Sequence, residues 1–208
     1  MSRPQAVIFD IGNVLTRWQP EAFYDREIGE DRRRALFAEV DLLGMNQRLD
    51  SGASFRETVY DLAALHPHWS EEIRWWHDRW TELPLPHIDG SIALLRALKA
   101  KGVPVFALTN SGASVFEAAR QSQDFLALFD RTYVSGALGL MKPDPAIYRA
   151  VEQDCGLPPE SLLFTDDKAE NTAAAAVRGW KVHLFDGWQG LAGRLVDESL
   201  LTPAEAGL

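Results

Sequence analysis

Ala6-Val7-Ile8-Phe9-Asp10-Ile11-Gly12-Asn13-Val14-Leu15 decides how this chain of 208 residues reads. Ala6 to Phe9 is short, apolar and β-prone, the pattern of a buried strand, and it ends on a carboxylate, Asp10. Val103 to Leu108, Arg131 to Val134, Leu162 to Phe164 and Lys181 to Phe185 have the same character. Helical patterns separate these later strands. Asp89 is positioned to cap a helix that runs through Ala100 and stops at Gly102. Asp144-Pro145 joins a cap to a first-turn proline; Ile147, Val151 and Cys155 then share one face, and Gly156 is the stop. Asp167 to Arg178 forms another helix ending at Gly179. Strands alternating with helices predict an α/β chain whose parallel sheet is covered on both faces.

One stretch breaks the alternation. From about Thr16 to Pro86 there are helical signals and no strand. Pro20 to Ile28 and Asp31 to Leu43 read as helices. Ser54-Phe55-Arg56-Glu57 reads as a capping box opening a third, with Phe55, Val59, Leu62 and Ala63 on one face. Ser70 is the expected cap of a last one carrying Ile73, Trp76 and Trp80. Leu83-Pro84-Leu85-Pro86 returns the chain as a stiff linker. The expected division is a core of residues 1–15 and 87–208, with residues 16–86 inserted as a small α-helical cap.

The composition is that of a globular protein, 46% hydrophobic and 25% charged. The single cysteine, Cys155, has no internal disulfide partner and forms no thiolate metal cluster. The polar start and the lack of a long apolar run favour a cytoplasmic protein that does not enter membranes. With 21 basic and 30 acidic side chains the formal charge is −9, which disfavours non-specific binding to nucleic acid or anionic membrane. Phosphate chemistry in such a chain must rest on local cations, backbone N–H groups or a metal. Monomer and homodimer are both compatible with the sequence.

Four segments carry the candidate chemistry, each at or just beyond the C-terminal end of an expected strand. They are Phe9 to Leu15, Leu108-Thr109-Asn110-Ser111, Met141-Lys142-Pro143 and Phe164-Thr165-Asp166-Asp167. That edge of an open α/β sheet is where ligands bind. Taken singly, each segment is ordinary turn or surface chemistry; four of them in this order along one edge are a joint signal. Asp10 is suited to act as a nucleophile that forms an acyl-phosphate. Driving an anion against an anionic phosphate requires a cation, and Asp10 with Asp166 offers Mg²⁺ the oxygen ligands it prefers, with Asp167 in or just outside the coordination sphere. The Thr109 hydroxyl and nearby N–H groups would hold the transferring oxygens while Lys142 offsets the developing charge.

These residues, with the helical insertion after the first strand, resemble the haloacid dehalogenase superfamily of hydrolases along essentially the whole chain. Phe9 to Leu15 with Trp18-Gln19-Pro20, and Gly139-Leu140-Met141-Lys142-Pro143-Asp144-Pro145-Ala146-Ile147-Tyr148, resemble its bacterial branch that includes sugar-phosphate phosphatases. The resemblance implies a Rossmann-like core with a parallel five-stranded sheet whose two carboxylate-bearing strands are neighbours. It also implies Asp10 as nucleophile, and the Gly12 carbonyl joining Asp10 and Asp166 around Mg²⁺. Thr109 and Asn110 would bind phosphate, with Asn13 beside them, and Lys142 would steady the carboxylates. Most phosphatases of that family have an aspartate two residues after the nucleophile as general acid, whereas this chain has Gly12. The branch it resembles shares that glycine, so the proton must come from elsewhere; His77 is one candidate donor and a packing or solvated histidine is the alternative.

The insertion is expected to select the substrate. Met45 to Gly52 reads as a loop in which Asn46, Arg48 and Asp50 are candidates to read hydroxyls or a remote charge. Five of the seven tryptophans, Trp18, Trp69, Trp75, Trp76 and Trp80, fall in the insertion, and Trp18 is the candidate to face the cavity. The leading expectation is a Mg²⁺-dependent phosphatase of small phosphorylated, sugar phosphate-like metabolites. A 2-haloacid dehalogenase using Asp10 is the alternative: halide leaves without a proton, but that chemistry needs no metal, and by resemblance such enzymes carry Ser and Asn near Asp166-Asp167. A catalytically weak binding protein is a third reading, against which stand Asp10, Lys142 and Asp166 together.

Overall fold

The computed structural model describes residues 3–208; Met1 and Ser2, assigned above to the segment 1–15, lie outside the described residues. The chain opens with β1 (Ala6–Phe9) and then runs through α1 (Pro20–Ile28), α2 (Glu30–Glu39), α3 (Leu42–Asp50), α4 (Phe55–Leu65) and α5 (Ser70–Asp78). From α6 (Asp89–Ala100) it alternates: β2 (Val105–Thr109), α7 (Ala113–Ser122), β3 (Arg131–Val134), α8 (Ser135–Leu138), α9 (Pro145–Cys155) and β4 (Leu162–Asp166). It ends with α10 (Ala169–Val177), β5 (Lys181–Leu184), α11 (Trp188–Asp197) and α12 (Pro203–Ala206). No helix among the described residues is long and apolar enough to cross a membrane.

The five strands form one sheet in the order β3-β2-β1-β4-β5, and every neighbouring pair is parallel. Alternate residues of β1 serve the two faces. Val7 and Phe9 join Val105, Leu163 and the apolar sides of α6 and α11, while Ala6 and Ile8 join Phe106, Phe164, Ile147 and Tyr148. A parallel strand covered on both sides needs an unbroken apolar sequence, which is why these runs do not alternate with polar residues. The strand order reverses between β1 and β4, and ligand sites of open α/β sheets lie at the carboxyl ends of strands at such a point.

The helices α1 to α5 have an apolar cluster of their own, built on Tyr24, Met45, Leu49, Val59, Ile73 and Trp76. Here the local sequence reading needs correction. Asp31 to Leu43 is not one helix: the chain breaks at Val40-Asp41, and Asp41 caps α3 by accepting a 2.8 Å hydrogen bond from the Gly44 N–H. The expected loop from Met45 to Gly52 is therefore mostly the body of α3. Ser54 precedes α4 without making the side-chain bond of a capping box. Asp89 is the first residue of α6 rather than its cap, and Ser70 opens α5 directly from a 3₁₀ turn.

Candidate active site

Register brings the first carboxylates together. Phe9 pairs with Thr165, and the Asp10 N–H donates to the Thr165 carbonyl at 2.9 Å, so Asp10 lies beside Asp166 at the reversal of strand order. Asp166 is fully buried and held from several sides. Asn171 on α10 donates to both of its oxygens at 2.9 and 3.0 Å, and the Lys168 N–H donates to Oδ1 at 2.8 Å. Lys142, in the turn after α8, directs its ammonium inward to Asp166 Oδ2 at 2.6 Å, Asp10 Oδ1 at 2.9 Å and the Leu108 carbonyl at 2.8 Å. Asn110 secures that turn through two 2.9 Å bonds with the Lys142 backbone, one donated and one accepted.

The turn after β1 depends on Asn13, which adopts a left-handed φ of 55°, a conformation asparagine tolerates better than most residues. Its side chain accepts from the Trp18 N–H at 3.0 Å and donates to Asp167 Oδ2 at 3.0 Å. Carboxylate oxygens of Asp10, Asp166 and Asp167 all lie within 4.8 Å of one another. Three converging carboxylates repel unless a cation stands among them, and all-oxygen donors match Mg²⁺. Lys142 neutralises part of this charge and leaves the rest, so the residues present fit such an ion.

Burial pushes the Asp10 carboxyl up to about 6; the Lys142 ammonium pulls it down and Asp166 pushes it further up. Burial acts to lower Lys142, but Asp10 and Asp166 outweigh it and hold the ammonium above its ordinary value. The Ile11 N–H and Lys142 both engage Oδ1 of Asp10, at 2.8 and 2.9 Å.

A cavity of about 570 Å³ opens on this edge, with Asp10, Gly12, Thr109, Lys142 and Asp167 on its wall. Asn110 and Asn13 reach it too, although the side chains of both are engaged as described. From the insertion come Trp18, Trp80, Asn46 and Asp50. Trp18 packs on Trp80 at 5.2 Å and on Trp76 at 5.8 Å between centroids. Asn46 donates to Asp50 at 3.1 Å and accepts from the Trp76 indole at 3.4 Å. Arg48 and His77 are not on this wall. His77 packs on Phe55 with centroids 4.7 Å apart, bonds to Asp78 at 2.7 Å and borders a different pocket, so it is the packing histidine.

Three participants were not assigned these roles from sequence. Asn171 clamps Asp166, yet an asparagine on a helix looks the same whether solvated or buried. Ser135 is fully buried, accepting from the Ser111 N–H at 2.9 Å and donating to the Asp50 carbonyl at 2.6 Å, which ties α3 to the loop after β2. Burial pushes the Asp50 carboxyl up to about 7, with Lys168 opposing and Asp10 adding to the rise.

The sequence pattern of the haloacid dehalogenase-like hydrolases matches residues 4–179. The chain is 37% identical to a sesquiterpene phosphatase of Aspergillus oryzae, covering 88% of this chain and 90% of that protein. It is 24% identical to a D-ribitol-5-phosphate phosphatase of Bacteroides thetaiotaomicron over 79% of this chain and 84% of the other. Similarity to an (S)-2-haloacid dehalogenase of Pseudomonas putida is 30% over 57% of this chain and 50% of that one. In fold it is similar to a family enzyme of Bacteroides thetaiotaomicron, solved in complex with magnesium and inorganic phosphate, with a TM-score of 0.64 and 18% identity over 88% of this chain and 95% of the other.

Proposed function

Since the chain belongs to the haloacid dehalogenase-like hydrolases, we propose that it hydrolyses phosphate monoesters through a phosphoryl group carried on Asp10. The observation behind this reading is the convergence of Asp10, Asp166 and Asp167 oxygens within 4.8 Å, with Lys142 bonded to two of them. A dehalogenase attacks neutral carbon and has no use for that third carboxylate. A binding protein would not need a lysine buried against its nucleophile.

Asp10, Asp166 and Asp167, with the Gly12 carbonyl, would hold Mg²⁺, which when bound supplies the positive charge that lets carboxylate and phosphate approach. A carboxylate oxygen of Asp10 attacks phosphorus, the bond to the alcohol oxygen breaks, and an acyl-phosphate forms on Asp10. The Thr109 hydroxyl and the backbone N–H groups after β2 steady the phosphoryl oxygens, and Lys142 counters their growing charge. Water then attacks phosphorus, releases inorganic phosphate and restores the Asp10 carboxylate.

The departing alkoxide needs a proton that Gly12 cannot give. Asp50 is the donor in this reading: it lines the same cavity and keeps its proton up to about pH 7. Residues 16–86 act as the cap over a core of 1–15 and 87–208, supported by the presence of Trp18, Trp80, Asn46 and Asp50 on the cavity wall. The relatives' names point to two unlike alcohols, a sesquiterpene and a polyol.

The test is hydrolysis of p-nitrophenyl phosphate with and without Mg²⁺, by the wild type and by Asp10→Asn. Metal-dependent turnover that vanishes in a folded Asp10→Asn protein is the expected result. Turnover that survives the substitution removes Asp10 from the chemistry; release of halide from 2-chloropropionate that persists in chelator supports the dehalogenase instead.

A further inference from the structure

The wall of the cavity beyond the carboxylates says what kind of alcohol leaves. On the core side, Val115, Phe116 and Ala119 of α7 present one helical face, continued by Leu126. The insertion adds Trp18, Trp80 and Pro84 to the same cavity, and Leu43 of α3 borders it while 47% exposed.

The polar side chains on the same wall are largely committed to the protein. Asn13 is bonded at both ends, to Trp18 and Asp167. Asn110 is bonded at both ends to the Lys142 backbone. Asn46 lies between Asp50 and the Trp76 indole, and the Ser51 hydroxyl donates to the Gln47 carbonyl at 2.8 Å. A polyol entering this space surrenders the water around each hydroxyl, and the side chains left to receive it are the amides of Gln47 and Gln123, the Asp50 carboxyl and the Lys168 ammonium at the carboxylate end. Unpaired hydroxyls are costly to bury, whereas apolar surface gains by burial. The volume of about 570 Å³ lies within the roughly 300–1,000 Å³ of pockets that enclose mid-sized organic molecules.

We propose that the substrate is the monophosphate of a hydrophobic alcohol, its hydrocarbon held between α7 and the Trp18–Trp80 pair, in place of the sugar phosphate expected from sequence. The inference rests on the phosphatase reading and refines it. The phosphate end is bound as described above, and no new reaction step is involved.

The test is kcat/KM of the wild-type enzyme with Mg²⁺ on butyl, hexyl and octyl phosphate below their micelle concentrations, on geranyl monophosphate, and on glucose 6-phosphate and ribitol 5-phosphate. The leaving oxygen is chemically the same along the alkyl series, so its slope reports the wall alone. The expected rise is about fourfold per added methylene, equivalent to about 0.8 kcal/mol, with geranyl monophosphate above both polyol phosphates. Hydrolysis of p-nitrophenyl phosphate with no rise along the alkyl series, or with the polyol phosphates ahead of octyl and geranyl phosphate, overturns the hydrophobic substrate and leaves the phosphatase standing. Failure to hydrolyse any phosphate ester, p-nitrophenyl phosphate included, overturns the phosphatase and this inference with it.

Discussion

Lys142 holds its ammonium 2.9 Å from Oδ1 of Asp10 while only 3% of the lysine is exposed. A charge so buried exists because its partners do: Asp166 lies 2.6 Å away on the same ammonium. In the proposed reaction the lysine would serve the fold and the chemistry together, fixing Asp10 and offsetting the charge of the phosphoryl group.

Replacing Lys142 with methionine should cost on both counts. It leaves buried carboxylates without their cation, a change that typically destabilises by about 3–5 kcal/mol. Urea unfolding at neutral pH should show that loss, and added Mg²⁺ should recover part of it, since the ion binds only the folded state. A Lys142→Met protein as stable as wild type and still active would mean that the ammonium is dispensable.

Gly12→Asp should restore the acid that this turn lacks. A Cβ at Gly12 meets nothing closer than the Trp18 Cβ at 3.9 Å, so there is space for the side chain to begin. In an Asp50→Asn background, alkyl phosphates, whose leaving groups need a proton, should regain kcat; about 10²–10⁴-fold is the ceiling for a well-placed general acid. p-Nitrophenyl phosphate, whose leaving group needs none, should change little. A flat response in that background would show that a carboxyl at position 12 does not reach the leaving oxygen.

Asp50, the donor in the proposed reaction, should act with a definite sign in pH. Its carboxyl is raised to about 7, first by burial and then by Asp10, against the pull of Lys168. A raised carboxyl keeps its proton below that pH and loses it above, so kcat on alkyl phosphates should fall as pH rises through about 7. Positive charge beside Asp10 offsets that residue's contribution but not the burial. Asp50→Asn should abolish the alkaline fall and lower the plateau by about 10²-fold or more. If the fall persists in the variant, the donor lies elsewhere.

What could be read in the sequence follows from the kind of constraint each residue meets. The three central strands are legible because both of their faces are covered: Ala6 to Phe9 is buried throughout, as are β2 and β4, and their composition says so. The adjacency of Asp10 and Asp166 was not legible from those residues alone, because β1 pairs with a strand far along the chain; only family resemblance supplied it. The break at Asp41 was hidden inside an acceptable helical pattern, since an aspartate within a run looks like a solvated face until its side chain turns back to the Gly44 N–H. Asp50 reads as a loop residue in sequence because the start of α3 at Leu42 is masked by the helical pattern before it. Asn171 carries no sequence signal because its role exists only where α10 meets the tip of β4.

Asn171 gives the last prediction. Its amide donates to both oxygens of Asp166, at 2.9 and 3.0 Å. Its influence on catalysis therefore runs through the orientation of Asp166. Groups that orient a metal ligand typically matter by about 10–100-fold in metal affinity or activity. Asn171→Ala should accordingly raise the Mg²⁺ concentration for half-maximal activity by about that factor, while saturating Mg²⁺ returns most of kcat. A defect in packing alone would instead lower the amount of folded protein at every Mg²⁺ concentration, and thermal unfolding measured alongside the titration separates the two. An unchanged Mg²⁺ requirement in the folded variant would mean that Asp166 keeps its orientation without the amide, or that it is not a ligand.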